Sequence, residues 1–154
     1  MTLPKHFLGI LLLGLSLVSC DKPNWIIERQ FASENWPIQD TVNFSFEKQK
    51  PEPVEIRLQL QLDVEYAYRN IWLKLLMENP DGERSEIMIG DTLMDEAGNW
   101  YPESSAVSGR SVKHTIQHVP PIDLTQKGDY RMALIQYMRE DKLQGVQKLW
   151  IAVD

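Results

Sequence analysis

The sequence is poor in cysteine: Cys20 is the only one among 154 residues. An internal disulfide is therefore excluded, and the fold must be held by packing even where the compartment would permit disulfides. Positive charge is also short. The 16 Lys and Arg are outnumbered by 22 Asp and Glu, a net charge of −6, which argues against nucleic acid or an anionic surface as partner. One apolar run lies at the very start of the chain, and no second run approaches membrane length. Internal repeats and low-complexity segments are absent. Histidine is scarce, with only His114 and His118 beyond residue 20.

What is present begins with Leu17-Val18-Ser19-Cys20. Lys5 and His6 form a weakly basic start, and Phe7 to Leu15 is an apolar segment of signal-peptide length. It is too short to span a bilayer as a mature helix. Small Ser19 precedes the cysteine, as a signal peptidase requires. The pattern is that of a bacterial lipobox and implies acylation of the Cys20 thiol, followed by cleavage between Ser19 and Cys20. Such a signal changes the membrane reading from spanning to anchored. The alternative is an ordinary signal peptide with an incidental cysteine. On the lipobox reading, residues 1–19 are the signal peptide, 20–37 the lipidated N-terminus and tether, and 38–154 the folded domain. Removing 19 of the 154 residues leaves 135, one domain able to bury a core. The expected location is the cell envelope, with the lipid in the outer or inner membrane and the domain facing the periplasm.

The tether carries Trp25, Ile26, Ile27, Phe31 and Trp36, too apolar for a flexible linker; part of it is expected to lie on the domain as an edge strand, with Asn35-Trp36-Pro37 as the entry turn. Thr41 to Glu47 alternates with Val42, Phe44 and Phe46 on one side. The clearest pattern is Val54 to Tyr66, where every even-numbered residue is apolar and every odd-numbered one polar. Period two over this length predicts a strand with one wet face, hence an antiparallel sheet. Ile71 to Glu78 is apolar on nearly both faces and reads as a central strand between two layers. Asn79-Pro80-Asp81-Gly82 supplies the turn chemistry for a hairpin to Arg84–Ile89. Gly90 to Gly109 reads as a long aromatic-bearing loop with one turn of helix. Ser111 to His118, Tyr130 to Met138 and Val146 to Val153 read as strands, with Arg139 to Gln144 a polar connection. Seven or eight short strands without a long helix predict an all-β fold, an antiparallel β-sandwich of immunoglobulin-like or jelly-roll-like connection.

Chemistry is harder to find. On one strand, His114 and His118 would lie about 13 Å apart at about 3.3 Å per residue, too far to share an ion, and read as two half-exposed histidines. Ser104, Ser105 and Ser108 lack a nucleophile-elbow motif. Asp91, Asp95 and Glu96 lack calcium-loop spacing and read as solvated loop acids. The expectation is no catalytic residue, no metal site and no cofactor: not an enzyme. Trp72 and Trp150 sit inside strand patterns and are expected in the core. Trp100 and Tyr101 sit in the long loop. The plainer reading is a loop folded back by its two rings; the sharper one is a binding loop that stacks on a sugar or enters a partner.

Several stretches taken together carry a resemblance: Leu17–Cys20 followed by Asp21; Trp36 with Val42-Asn43-Phe44; Tyr68-Arg69-Asn70-Ile71-Trp72-Leu73; Asn79-Pro80-Asp81-Gly82; Asp91-Thr92-Leu93; Gly98-Asn99-Trp100; Gly128-Asp129-Tyr130; Met138-Arg139; and Leu143-Gln144-Gly145-Val146. In order and spacing they resemble the gliding-motility lipoprotein GldH family of the Bacteroidetes. Trp100-Tyr101-Pro102 departs from that pattern in being less glycine-rich. The resemblance implies a lipid-anchored envelope lipoprotein, a non-enzymatic component of gliding motility and the linked type IX secretion machinery. Its implied partners are the membrane, through the lipid, and other gliding and secretion envelope proteins, with no nucleic acid. The family has no assigned catalytic residues to carry over. A carbohydrate-binding envelope lipoprotein is the alternative, and an envelope hydrolase a weaker third.

Overall fold

The computed structural model describes residues 25–50 and 54–154. The signal peptide and Cys20 lie outside the described residues. The elements in chain order are β1 (Trp25–Gln30), a 3-10 turn (Ala32–Glu34), β2 (Asn35–Pro37), β3 (Val42–Lys48), β4 (Ile56–Asp63), β5 (Asn70–Glu78), β6 (Arg84–Thr92), β7 (Ser105–Ser108), β8 (Ser111–Thr115), β9 (Gly128–Gln136), β10 (Lys142–Gln144) and β11 (Val146–Val153). All pairings are antiparallel. One sheet runs β1-β11-β4-β8-β7, the other β3-β9-β5-β6, and β10 pairs with β2 in a small clasp.

This is the β-sandwich the alternation predicts, and the strand order selects between the two connections. With the short β2, β7 and β10 set aside, eight strands remain. Numbered one to eight, they order as 1-8-3-6 and 2-7-4-5 in the two sheets, the interleaving of a jelly roll.

The core forms between the sheets from the inward half of each alternation. Leu58, Leu60 and Leu62 of β4 are fully buried, as are Ile71, Leu73 and Leu75 of β5 and Leu149 and Ile151 of β11. The even-numbered set of the clearest stretch is thus the buried one. The strand itself is shorter than its pattern: it ends at Asp63, where a turn brings Tyr66 back into the core. Its partner β11 carries a register shift between Val146 and Lys148.

Other expectations are corrected. Among the described residues, Gly90 to Gly109 contains no helix. Instead, β6 runs on to Thr92, a bridge joins Met94 to Trp100, and β7 follows. The strand from Ser111 stops at Thr115, not His118. Leu143 and Trp36 are both fully buried, so the polar connection and the entry turn become the paired strands β10 and β2. The expected edge strand in the tether is β1, lying along β11. The hairpin of β5 and β6 forms as expected, with Gly82 at φ +82° closing its turn.

Of the two strand tryptophans, Trp150 is buried and Trp72 is not. Trp72 is 44% exposed, because among the described residues no third layer lies over the outward side of β5. Trp150 points outward from β11, opposite Gln59. It is covered there by the amine-bearing chains of Lys113 and Lys148, whose Nζ atoms lie 5.0 and 5.8 Å from the ring.

Candidate functional site

The region read as a loop with solvated acids holds the least expected chemistry. On β6 the alternation Ile87-Ile89 continues to Asp91, so the Asp91 side chain points inward and is only 6% exposed. Opposite it, His114 on β8 points inward from the other sheet and is fully buried. His114 Nε2 lies 3.1 Å from Asp91 Oδ2, and Ser105 Oγ lies 2.8 Å from His114 Nδ1. The chain turns after Thr115, which places the Gln117 backbone N–H 2.7 Å from Oδ2 and His118 Nδ1 3.5 Å from Asp91 Oδ1. Thr92 N–H donates to Oδ1 at 3.0 Å.

The two histidines are therefore neither equivalent nor remote. One is core and one is exposed at the rim, and both reach the same carboxylate. The extended spacing does not apply here, because the strand stops at Thr115 and Asp91 approaches both rings from the second sheet. The inward position of Asp91 is legible once the period of β6 is carried two residues past Ile89. Ser105 carried no comparable signal.

A buried carboxylate is costly unless its lone pairs are used. Burial works to raise the Asp91 carboxyl, but the hydrogen bonds from His114 and the Gln117 N–H outweigh it and hold the group below its ordinary value. With a proton on Nε2, the His114 ring donates to Asp91 and its Nδ1 accepts from the Ser105 hydroxyl, so both ring nitrogens have a partner. The result is a polar tie between the two sheets.

Serine, histidine and aspartate in hydrogen-bonded sequence invite comparison with a nucleophile relay. Three features distinguish this one. His114 has no exposure. Its ring is reversed, with Nδ1 toward the serine. The adjacent hollow, about 360 Å³, is lined by Asp91, Tyr101, Glu103, Ser104, Gln117 and His118 among others, but not by Ser105. The opening thus meets the carboxylate end of the chain, where a nucleophile relay would present its hydroxyl. Among the described residues, no three His, Cys, Asp or Glu side chains are grouped to hold a metal ion.

The loop singled out for Trp100 and Tyr101 is shaped by Asp95. Its Oδ1 accepts from the N–H groups of Ala97 and Asn99, both at 2.9 Å, and Asn99 Nδ2 donates to Oδ2 at 3.0 Å. Those bonds hold the Asp95 carboxyl below its ordinary value. The loop turns Trp100 onto the core, where it is half-buried, and leaves Tyr101 exposed at the rim of the Asp91 hollow.

Another exposed aromatic surface lies on the outer side of the β3-β9-β5-β6 sheet. Trp72 and Tyr137 are 44% and 50% exposed, and Met88 is exposed beside them. A Cβ at Gly90 would collide with the Trp72 ring, so the indole lies across bare backbone. Lys74 Nζ sits 4.3 Å from the centroid of Tyr137. Farther along this face a groove of about 430 Å³ runs past Leu76 and Ala133 to Glu78. There Arg84 and Arg131 both bond Glu78, at 2.9 and 2.8 Å, and hold its carboxyl below its ordinary value.

No curated protein and no solved structure matches the chain. The family model described as GldH lipoprotein matches residues 27–153, a span that takes in all but the first residues of β1 and runs through β11. The chain belongs to the GldH lipoprotein family.

Proposed function

We propose that this protein is a lipid-anchored component of the gliding-motility apparatus and its linked type IX secretion machinery, acting by assembly and not by catalysis. The observation that carries the reading is the family match over residues 27–153. Cys20 supplies the anchor, and the domain acts from the membrane surface on the periplasmic side. One acyl chain gives only marginal, reversible binding, at about 0.8 kcal/mol per buried CH₂, so stable anchoring needs more than one chain. Acylation of a lipobox cysteine provides that.

The test replaces residues 1–20 with a conventional cleavable signal. The resulting soluble domain should fold but fail to support motility or secretion, and pull-down of the lipidated form from membranes should recover envelope proteins of the same machinery. Full function from the soluble form would refute the anchor. The non-enzymatic role is tested by Ser105→Ala, which should retain full motility and secretion; a hydrolase using Ser105 would lose both.

A carbohydrate-binding role is the second reading. The exposed Trp72 indole on a rigid sheet favours it, since a ring face of this kind stacks on a sugar. Quenching of Trp72 fluorescence by envelope polysaccharide, absent in Trp72→Ala, would support that reading over the first.

A further inference from the structure

The two ends of the sandwich differ in chemistry, and the chain enters at one of them. β1 begins at Trp25, paired with Ala152 near the end of β11, which itself pairs with the start of β4. The same end carries the last residues of β3. Two hollows lie there. One is lined by Ile26, Phe46, Val54 and Val153 together with Lys48 and Lys50, Glu47 and Asp154. The other, which shares Val54, is lined by Val119, Pro120, Pro121 and Ile122. Ile26 is 38% exposed, and Phe46, Val54, Val119, Ile122 and Val153 are only partly buried against the core. Lys48 and Lys50 balance Glu47 and Asp154, and Asp154 is itself paired with Arg57.

The opposite end lies one strand length away, about 25 Å for a strand of this size. Its hollow, about 610 Å³, is lined by Glu34, Asp63, Glu65 and Glu140, with Lys142 as its one basic lining residue; Arg110 bonds Asp63 and Glu65 from the side. Burial pushes the Tyr66 hydroxyl up, and the bond to Glu140 pushes the Tyr68 hydroxyl up, so both stay neutral donors among these carboxylates.

We propose that the protein stands on the bilayer by its β1-start end, with Ile26, Lys50, Val54, Val153 and the Val119–Ile122 segment against the headgroup layer and the acidic end turned outward. The inference rests on the lipid at Cys20. Trp25 lies five positions after Cys20, and even fully extended that stretch reaches at most about 18 Å. The start of β1 is thus held within that distance of the anchor, whereas the acidic end lies a full strand beyond it. Charge selects the same orientation. Anionic lipid repels the carboxylate-lined end and is indifferent to the charge-balanced one. Partly exposed aliphatic side chains gain by entering the interface, but too few are present to bind without the lipid. The end supplies orientation and Cys20 supplies affinity. The acidic hollow and the outer face bearing Trp72 then remain free for envelope partners.

The test uses the full lipidated chain in vesicles of phosphatidylethanolamine and phosphatidylglycerol. Cys20 is consumed by acylation, so one introduced cysteine can be labelled uniquely with a fluorophore. Labels at Ile26→Cys and Lys50→Cys should be quenched at least threefold more by a nitroxide on the lipid headgroup than labels at Glu65→Cys and Gln144→Cys. Equal quenching at both ends, or the reverse order, overturns the proposal. Co-flotation with the vesicles is scored separately: protein that fails to float refutes the lipid reading, whereas protein that floats with unordered quenching refutes only the orientation. The domain without its lipid should not float, and flotation would show the end to be an anchor in its own right.

Discussion

Trp72 and Trp150 occupy matching situations and meet different fates. Both point outward from a strand inside its sheet, and each lies beside an alternation that buries its neighbours. Trp150 is 8% exposed and Trp72 44%. The difference lies in what surrounds them. Around Trp150 the outer face is a polar lattice. Gln59 bonds Thr115 at 3.1 Å, Gln61 bonds Ser111 and Gln147 at 3.2 and 2.7 Å, and Lys148 reaches Glu28 at 3.2 Å. Lysine chains close over the ring, and the Lys148 and Trp150 hydrogen bonds hold the Glu28 carboxyl below its ordinary value. The Trp72 ring rests on Gly90 and the residue stays 44% exposed. One outer face is finished by its own side chains; the other is left open.

The largest effect belongs to the shared inner face. Leu60 is fully buried and pairs with Leu149 on one side and His114 on the other. Leu60→Asp places an unpaired charge there, at a cost of several kcal/mol against a total stability of roughly 5–15 kcal/mol. Circular dichroism should show no folded protein.

The inter-sheet tie comes next. His114→Ala removes a fully buried ring and leaves both Asp91 and Ser105 short of a partner. Urea unfolding should report a loss of about 2–4 kcal/mol. His118→Ala, at the exposed rim, should cost far less. Equal effects would mean that the two histidines are as alike as their spacing in sequence suggests.

The same tie sets an acid limb. The folded-state carboxyl of Asp91 lies below its ordinary 3.8. Its contribution is therefore complete above that value and lost as pH falls through the lower folded value. Asp91→Asn should be less stable than the wild type near neutral pH, and the gap should narrow as the pH drops below about 3.8. A gap that stays constant across that range would show that Asp91 carries no such linkage.

Legibility in the sequence followed the same division. Inner faces were readable wherever alternation was strict, as in β4, because burial on one side leaves a period-two record. The continuous apolar run of β5 misled, since Trp72 and Leu76 look like core residues in sequence whatever lies above the sheet. Trp150 misled in the opposite sense: it is buried, but by lysine chains from its own sheet. Asp91, His114 and Ser105 come from three strands in two sheets, and no local pattern encodes their meeting. The pairing of β2 with β10 was hidden for the same reason, because Asn35–Pro37 and Lys142–Gln144 are each too short to show a period. The expected turn of helix between Gly90 and Gly109 was composition misread as structure: Asp95, Gly98 and Asn99 build a side-chain-capped loop instead.

The smallest effect is the sharpest test of the open face. Glycine in a strand interior costs about 0.5–1 kcal/mol relative to alanine, because it loses more backbone freedom and packs nothing. Gly90 should therefore be improved by alanine, except that a Cβ there collides with the Trp72 ring. The ring is the free end of an exposed side chain and can swing aside, so the collision costs the contact and not the fold. Gly90→Ala in the wild type should thus be close to neutral or destabilising by less than about 1 kcal/mol, the gain in backbone and the loss of ring packing opposing each other. In a Trp72→Ala background the collision is gone, and the same substitution should stabilise by about 0.5 kcal/mol. Its effect should be more favourable with alanine than with tryptophan at position 72, and a double-mutant cycle in urea isolates that coupling. Trp72→Ala by itself should shift the unfolding free energy by no more than about 1 kcal/mol, far less than truncation of Leu60 or His114. If Gly90→Ala destabilised equally in both backgrounds, the indole would not rest on Gly90, and the contrast between the covered tryptophan and the open one would need another cause.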